Sequence, residues 1–269
     1  MRNIRLTLAY DGTDYVGWQV QPNGRSIQAT VESAIHKLTG EPAKLLAAGR
    51  TDSGVHALGQ VANFETGTSI PCDRIRFGLQ KHLPGDIIVR EAEDVHSAFH
   101  ATYGAKQKHY RYVIYNSRVK NPFVRKYAYQ FSGKLDVKSM HQAIQVLLGT
   151  HDFRCFESHF PNKATSVRTV NEVSVDRYSL CPTWFYSVSD TPVPCPNGKF
   201  ICLDIVADGF LYNMVRTIVG TLMKVGRHVW TADDVRRIIN SQERAQAGET
   251  APPHGLYLVS VDYSYKEHE

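Results

Sequence analysis

No two of the five cysteines (Cys72, Cys155, Cys181, Cys195 and Cys202) stand in C-x-x-C spacing, and their number is odd. Both facts argue against a disulfide framework and a structural zinc site, and they predict free thiols in a reducing compartment. The chain has no apolar run near the roughly 18 residues that a membrane span needs. Its first residues lack the charged-then-apolar pattern of a signal peptide. No membrane partner is expected, and the expected location is cytoplasmic. Phosphate-cradling glycine loops and metal-ligand spacings are missing too. An excess of one charge is modest: 31 Lys and Arg face 26 Asp and Glu, a formal charge of +5. Such a balance permits a polyanionic partner without demanding one.

What is present suits a soluble globular protein. The 269 residues, 42% hydrophobic and 21% charged, allow one large domain or two of ordinary size. Ile4 to Ala9 alternates as a strand and ends in the turn-forming Tyr10-Asp11-Gly12-Thr13. Ser26 can cap a helix through Ile27, Val31, Ala34, Ile35 and Leu38, with Gly40 as its stop. Leu45 to Ala48 and Val61 to Phe64 read as strands, Ile75 to Leu83 as a helix halted at Pro84-Gly85, and Asp86 to Glu91 as a strand. The first half, residues 1–105, is thus β, α, β, β, α, β.

A second half, 106–269, opens with a strand over His109 to Tyr115. Asp136 caps a helix through Met140, Ile144, Leu147 and Leu148 that Gly149 closes. Strands follow over Arg168 to Asp176 and Phe200 to Val206, then an apolar helix over Leu211 to Val225. Thr231 with Asp234 resembles a capping box opening the last helix, and Leu256 to Tyr263 is the final strand. Residues 178–199, with four prolines and no periodicity, read as a surface excursion.

Four segments are poorly explained by folding alone. Asp52 sits in Gly49-Arg50-Thr51-Asp52-Ser53-Gly54-Val55-His56-Ala57, at the exit of an apolar strand. A carboxylate there is either a nucleophile or general base, or a turn aspartate bonding its own backbone. Lys106-Gln107-Lys108-His109-Tyr110-Arg111-Tyr112 interleaves cations and rings. That pattern suits looped or single-stranded RNA, or an ordinary strand with a basic face. Arg216, in Gly209-Phe210-Leu211-Tyr212-Asn213-Met214-Val215-Arg216, is either buried against an acceptor or on the polar side of its helix. Ala251-Pro252-Pro253-His254-Gly255-Leu256-Tyr257-Leu258 is either a rigid turn delivering apolar groups into the final strand or a plain strand entry.

Together, and with Tyr10 to Gln19 and Ser166-Val167-Arg168-Thr169, these segments resemble the TruA family of tRNA pseudouridine synthases from the first strand to the last. Ser53 stands where the family commonly has Ala, Ala29 where Gly is frequent, and the 178–199 excursion looks longer than usual. The resemblance implies an α+β fold of two similar lobes with mainly antiparallel sheets, joined across a central RNA-binding cleft. It implies an isomerase acting on uridines 38 to 40 of the tRNA anticodon stem-loop, with no cofactor and no metal. By the same resemblance Asp52 is the catalytic carboxylate and Arg216 the arginine paired with it. Tyr110 would pack on the target base, Leu256 would line its pocket, and Arg50 would help turn the nucleotide out. A homodimer gripping the anticodon arm and elbow of tRNA is implied as well.

Rival readings remain open on the residues. A synthase of the same fold could act on another RNA, with specificity in basic residues such as Lys106, Lys108 and Arg111. A non-catalytic RNA-folding module has no physical need for a buried arginine–carboxylate pair. A metal-dependent hydrolase built on Asp52, His56 and Asp11 is poor, because no helix presents two ligands on one face.

Overall fold

The computed structural model describes residues 1–158, 165–184 and 193–263. In chain order the elements are β1 (Arg2–Tyr10), α1 (Ile27–Thr39), β2 (Leu46–Ala47), β3 (His56–Thr66), α2 (Cys72–His82) and β4 (Ile87–Val95). Then come β5 (Gln107–Asn116), β6 (Tyr129–Phe131), α3 (Val137–Ile144), β7 (Gly149–Asp152) and β8 (Val167–Tyr178). The chain closes with β9 (Phe200–Ala207), α4 (Met214–Gly226), α5 (Ala232–Ser241) and β10 (Leu256–Asp262). The fold is mixed α+β, and its strand pairs are mostly antiparallel. No helix among the described residues is long and apolar enough to cross a membrane.

Two compact units result. Among the described residues, the first comprises 1–108 and 257–263. Its strands run in the order β4-β1-β3-β10, with β2 on β3. β1 is antiparallel to both β3 and β4, and its register against β3 shifts between Leu8 and Tyr10, where the chain leaves the sheet for Asp11. β10 returns from the far end of the chain to pair in parallel with β3, Tyr257 opposite His56. Ile4, Leu6, Leu8 and Phe64 of the strands are buried, as are Ile27, Val31 and Ile35 of α1 and Ile75 and Leu79 of α2. The ends of α1 follow from its sequence: the Ser26 hydroxyl accepts the Ala29 N–H, and Gly40 takes the left-handed conformation (φ 75°). A cap of this kind contributes about 1 kcal/mol.

The second unit is residues 109–256. Its strands run β5-β9-β8-β7, with β6 parallel to β5. The Asp136 cap and the Thr231/Asp234 capping box form as the sequence predicts. Three expectations need correction. The helix predicted from Leu211 starts at Met214, because Asn213 before it is left-handed (φ 60°) and interrupts the spiral. The helix predicted through Leu148 ends at Ile144, and the chain tightens to a 3₁₀ turn over Gln145–Leu147. Gly149, with φ 93°, then opens β7 rather than closing a helix. The excursion at 178–199 is not purely surface, for Cys181, Pro182 and Thr183 are buried; its residues 185–192 lie outside those described.

Candidate active-site loop

Asp52 lies on the eight-residue crossing from β2 to β3, and a second segment, residues 10–18, holds that crossing in place. The Tyr10 phenol and Thr51 hydroxyl are hydrogen-bonded at 2.8 Å in a buried contact. Trp18 N–H donates to the Thr51 carbonyl at 3.0 Å. On the other side of Asp52, the Ser53 hydroxyl and Gly54 N–H both donate to the Tyr15 carbonyl, at 3.1 and 3.4 Å. Val55 N–H closes the turn on the Asp52 carbonyl at 3.1 Å. The main chain therefore closes this turn, and the residues flanking Asp52 are tied on both sides.

Two glycines make the approach of the segments possible. A Cβ on Gly17, whose φ is 105°, would lie 2.6 Å from the Thr51 carbonyl oxygen. One on Gly12 would lie 1.9 Å from the carbonyl oxygen of Val55. Only glycine lets backbone come this close to backbone.

Beneath the loop, Gln60 Nε2 donates to the Gly49 carbonyl at 2.8 Å and reaches the Tyr10 oxygen at 3.5 Å. Burial pushes the Tyr10 phenol up to about 12, against the lowering effect of its bonds to Thr51 and Gln60. Tyr10 thus stays neutral at physiological pH. Burial and the Asp86 carboxylate, which accepts the Tyr15 hydroxyl at 2.7 Å, raise the Tyr15 phenol as well.

His56, buried and stacked on Tyr257 (centroids 4.8 Å apart), fixes the entrance to β3. Its Nδ1 is 3.1 Å from Gly12 N and 3.2 Å from Asp11 Oδ1. That oxygen already accepts the N–H and hydroxyl of Thr13, so Nδ1 is read as the acceptor of the Gly12 N–H. Asp11 and His56 thereby shape the loop. Among the described residues, no three His, Cys, Asp or Glu are grouped to hold a metal ion.

Of the residues the sequence singled out, Arg50 and Asp52 sit on this loop, Arg50 exposed and Asp52 half-buried. Lys108 lies beside it, with Nζ 3.4 Å from where a Cβ of Gly49 would be. Tyr110, Arg216 and Leu256 belong to the second unit. Tyr110 is buried on β5, edge-on to Phe210 with centroids 4.9 Å apart.

Arg216 is clamped at the start of α4. Its Nε donates to the Ala251 carbonyl and its Nη1 to Asn213 Oδ1, both at 2.7 Å, while Ala251 N–H donates back to the Arg216 carbonyl at 3.1 Å. The side chain is half-buried, so it meets acceptors as a buried arginine must, rather than pointing from the polar side of its helix. The clamp also fixes the approach to Leu256. There, Tyr112 OH donates to the Pro252 carbonyl at 2.8 Å, and a Cβ on Gly255 would meet the Tyr112 ring at 2.8 Å. Leu256 itself is buried.

One residue is corrected. Arg111 is no surface specificity residue: its Nε donates to Asp204 Oδ1 at 2.8 Å, and His109 Nε2 is 2.5 Å from the same oxygen. Burial acts to raise the Asp204 carboxyl, but the His109 bond and the Arg111 charge outweigh it and hold Asp204 below the usual carboxylate range. Alternation along β5 shows which residues share a face, but not that a carboxylate waits on β9. Sequence reasoning also missed Thr51 and Gln60. The available signals were the place of Thr51 beside Asp52 and that of Gln60 just before the predicted strand Val61 to Phe64.

Comparison with known proteins points one way. A family model described as tRNA pseudouridine synthase matches residues 7–104 and 143–264. A protein of Acetivibrio thermocellus named tRNA pseudouridine synthase A is 48% identical over 263 residues, covering 98% of this chain and 100% of its own. Proteins of the same name from Thermoanaerobacter sp. (43%; 98% and 100% covered) and Moorella thermoacetica (43%; 97% and 99% covered) are similar over the same span.

Proposed function

The chain belongs to the tRNA pseudouridine synthase family, and on that premise we propose that it isomerises uridines 38 to 40 of the tRNA anticodon stem-loop to pseudouridine. The reaction breaks the bond between uracil N1 and ribose C1′, turns the base, and joins C1′ to C5; C5 loses its proton and N1 gains one. Electrons balance within the nucleotide, so the chemistry calls for no redox cofactor. The base must leave its stack to react, which calls for a group to extrude it and a surface to receive it.

We assign Asp52 as the catalytic carboxylate. What supports the assignment is the seating of its loop: bonds to Tyr10, Tyr15 and Trp18 tie the residues on both sides of it. A group pre-aimed in this way spends little free energy on orientation at the moment of reaction. Attack on the sugar, attack on the base and abstraction of a sugar proton all require it ionised. Arg216 is assigned to pair with that carboxylate, since a guanidinium favours the charged form. Tyr110 receives the flipped base, Leu256 lines its pocket, and the exposed Arg50 enters the RNA. The working form is a homodimer that grips the anticodon arm and elbow of tRNA in the cytoplasm.

Pseudouridine mapping tests the reading. Unmodified tRNA incubated with the protein should acquire carbodiimide-dependent reverse-transcription stops at positions 38 to 40. Stops elsewhere would move the substrate assignment, and none at all would remove it.

A further inference from the structure

The chain's positive balance has a single source. Between Val95 and Leu135 there is no Asp or Glu, but there are eight Lys and Arg; the rest of the chain carries 23 against 26 Asp and Glu. Half of the eight are Arg118, Lys120, Arg125 and Lys126, on the loop that carries the chain from β5 to β6, and all four are exposed. The same loop bears two of the most exposed apolar side chains among the described residues, Phe123 (86%) and Val119 (75%).

This loop is built, not slack. Val119 N–H donates to the Ser117 hydroxyl at 3.3 Å. Asn121 Oδ1 accepts the Phe123 N–H at 3.0 Å, and the Asn121 carbonyl accepts the Val124 N–H at 3.3 Å. Val124 is buried, and its carbonyl accepts both Tyr127 N–H (2.9 Å) and Ala128 N–H (3.0 Å). One anchored valine and an asparagine turn thus hold the neighbouring phenyl ring out in solvent. Arg125, whose Nη1 donates to the Pro122 carbonyl at 2.5 Å, is kept close to that ring's own turn.

We propose that this loop is a second RNA-binding element, in which Phe123 stacks on an unpaired base of tRNA while Arg118, Lys120, Arg125 and Lys126 hold the adjoining phosphates. An exposed ring among cations matches a nucleotide on both counts: every base offers a π-face, and the backbone supplies the charge. A second copy of the chain fits less well, because no carboxylate in the loop answers four cations and like charges across an interface repel. The element lies outside the residues assigned to chemistry and rests on the tRNA reading above.

The test uses full-length protein and unmodified tRNA. Phe123→Ala should weaken tRNA binding about tenfold, and Phe123→Tyr should restore it, because a base stacked on an aromatic ring contributes about 1–3 kcal/mol. Replacing the four cations together by Gln should weaken binding about tenfold or more and flatten the dependence of log affinity on log salt by about 3. Thermal stability should not change, since these side chains are exposed. Wild-type protein that converts uridine while both variants bind as tightly as it does would overturn the loop assignment alone. Variants that lose oligomer size at unchanged tRNA affinity would overturn it in favour of self-association. Wild-type protein that binds no tRNA would overturn it together with the reading it rests on.

Discussion

The phenol of Tyr10 and the hydroxyl of Thr51 meet at 2.8 Å in a buried contact, one residue before Asp52. β1 and the loop entering β3 are thereby joined beside the proposed catalytic carboxylate, by two buried side chains. Tyr10→Phe keeps the ring and removes the bond. It leaves Thr51 Oγ1 and Gln60 short of a partner in a place where Gln60 Oε1 already has none. The expected loss is about 1–2 kcal/mol of stability by urea titration. Pseudouridine turnover should fall about tenfold with tRNA affinity little changed. Wild-type turnover in this variant would mean that the contact does not aim the loop.

Asp204 makes a pH-dependent contribution to stability. Its carboxyl is held below the usual range in the folded chain, so the stability it contributes is complete above about pH 4, the unfolded carboxylate value, and is lost as pH falls through the folded value. Asp204→Asn should lower stability at pH 7 by about 3 kcal/mol, because Arg111 is left half-buried without its counter-charge. The gap between variant and wild type should hold from neutral pH down to about 4 and narrow below it. A gap that stays constant into strong acid would contradict the assignment.

Arg216 bonds through a fork that lysine cannot copy, with Nε on the Ala251 carbonyl and Nη1 on Asn213. Arg216→Lys should cost at least tenfold in kcat/KM while the protein remains folded by circular dichroism. If lysine serves equally well, charge alone suffices and the clamp has no part in the reaction.

The parts of the fold that were legible were those with local causes. Ser26, Gly40, Asp136 and the Thr231/Asp234 pair each announce a helix end through hydrogen bonds made within four residues. The start of α4 was hidden because Leu211 and Met214 continue the apolar spacing across Asn213, whose left-handed backbone the pattern does not register. The pairing of Tyr257 with His56 leaves no local trace, because each strand alone satisfies the same alternation. The site divides in the same way. Asp52 stood out through its own loop. The bonds from Tyr10, Tyr15 and Gln60 that hold that loop are made between distant segments and needed the structure. Arg111 was misjudged for the same reason, since its partner lies on another strand.

The most direct test of the account is to compare wild type and Asp52→Asn on one unmodified tRNA, measuring pseudouridine formed and RNA bound in parallel. Asn keeps the size and hydrogen-bonding shape of the side chain and removes its charge. The account predicts no detectable product from Asp52→Asn, with tRNA affinity within a few-fold of wild type. Product formed at a rate near that of wild type would contradict it.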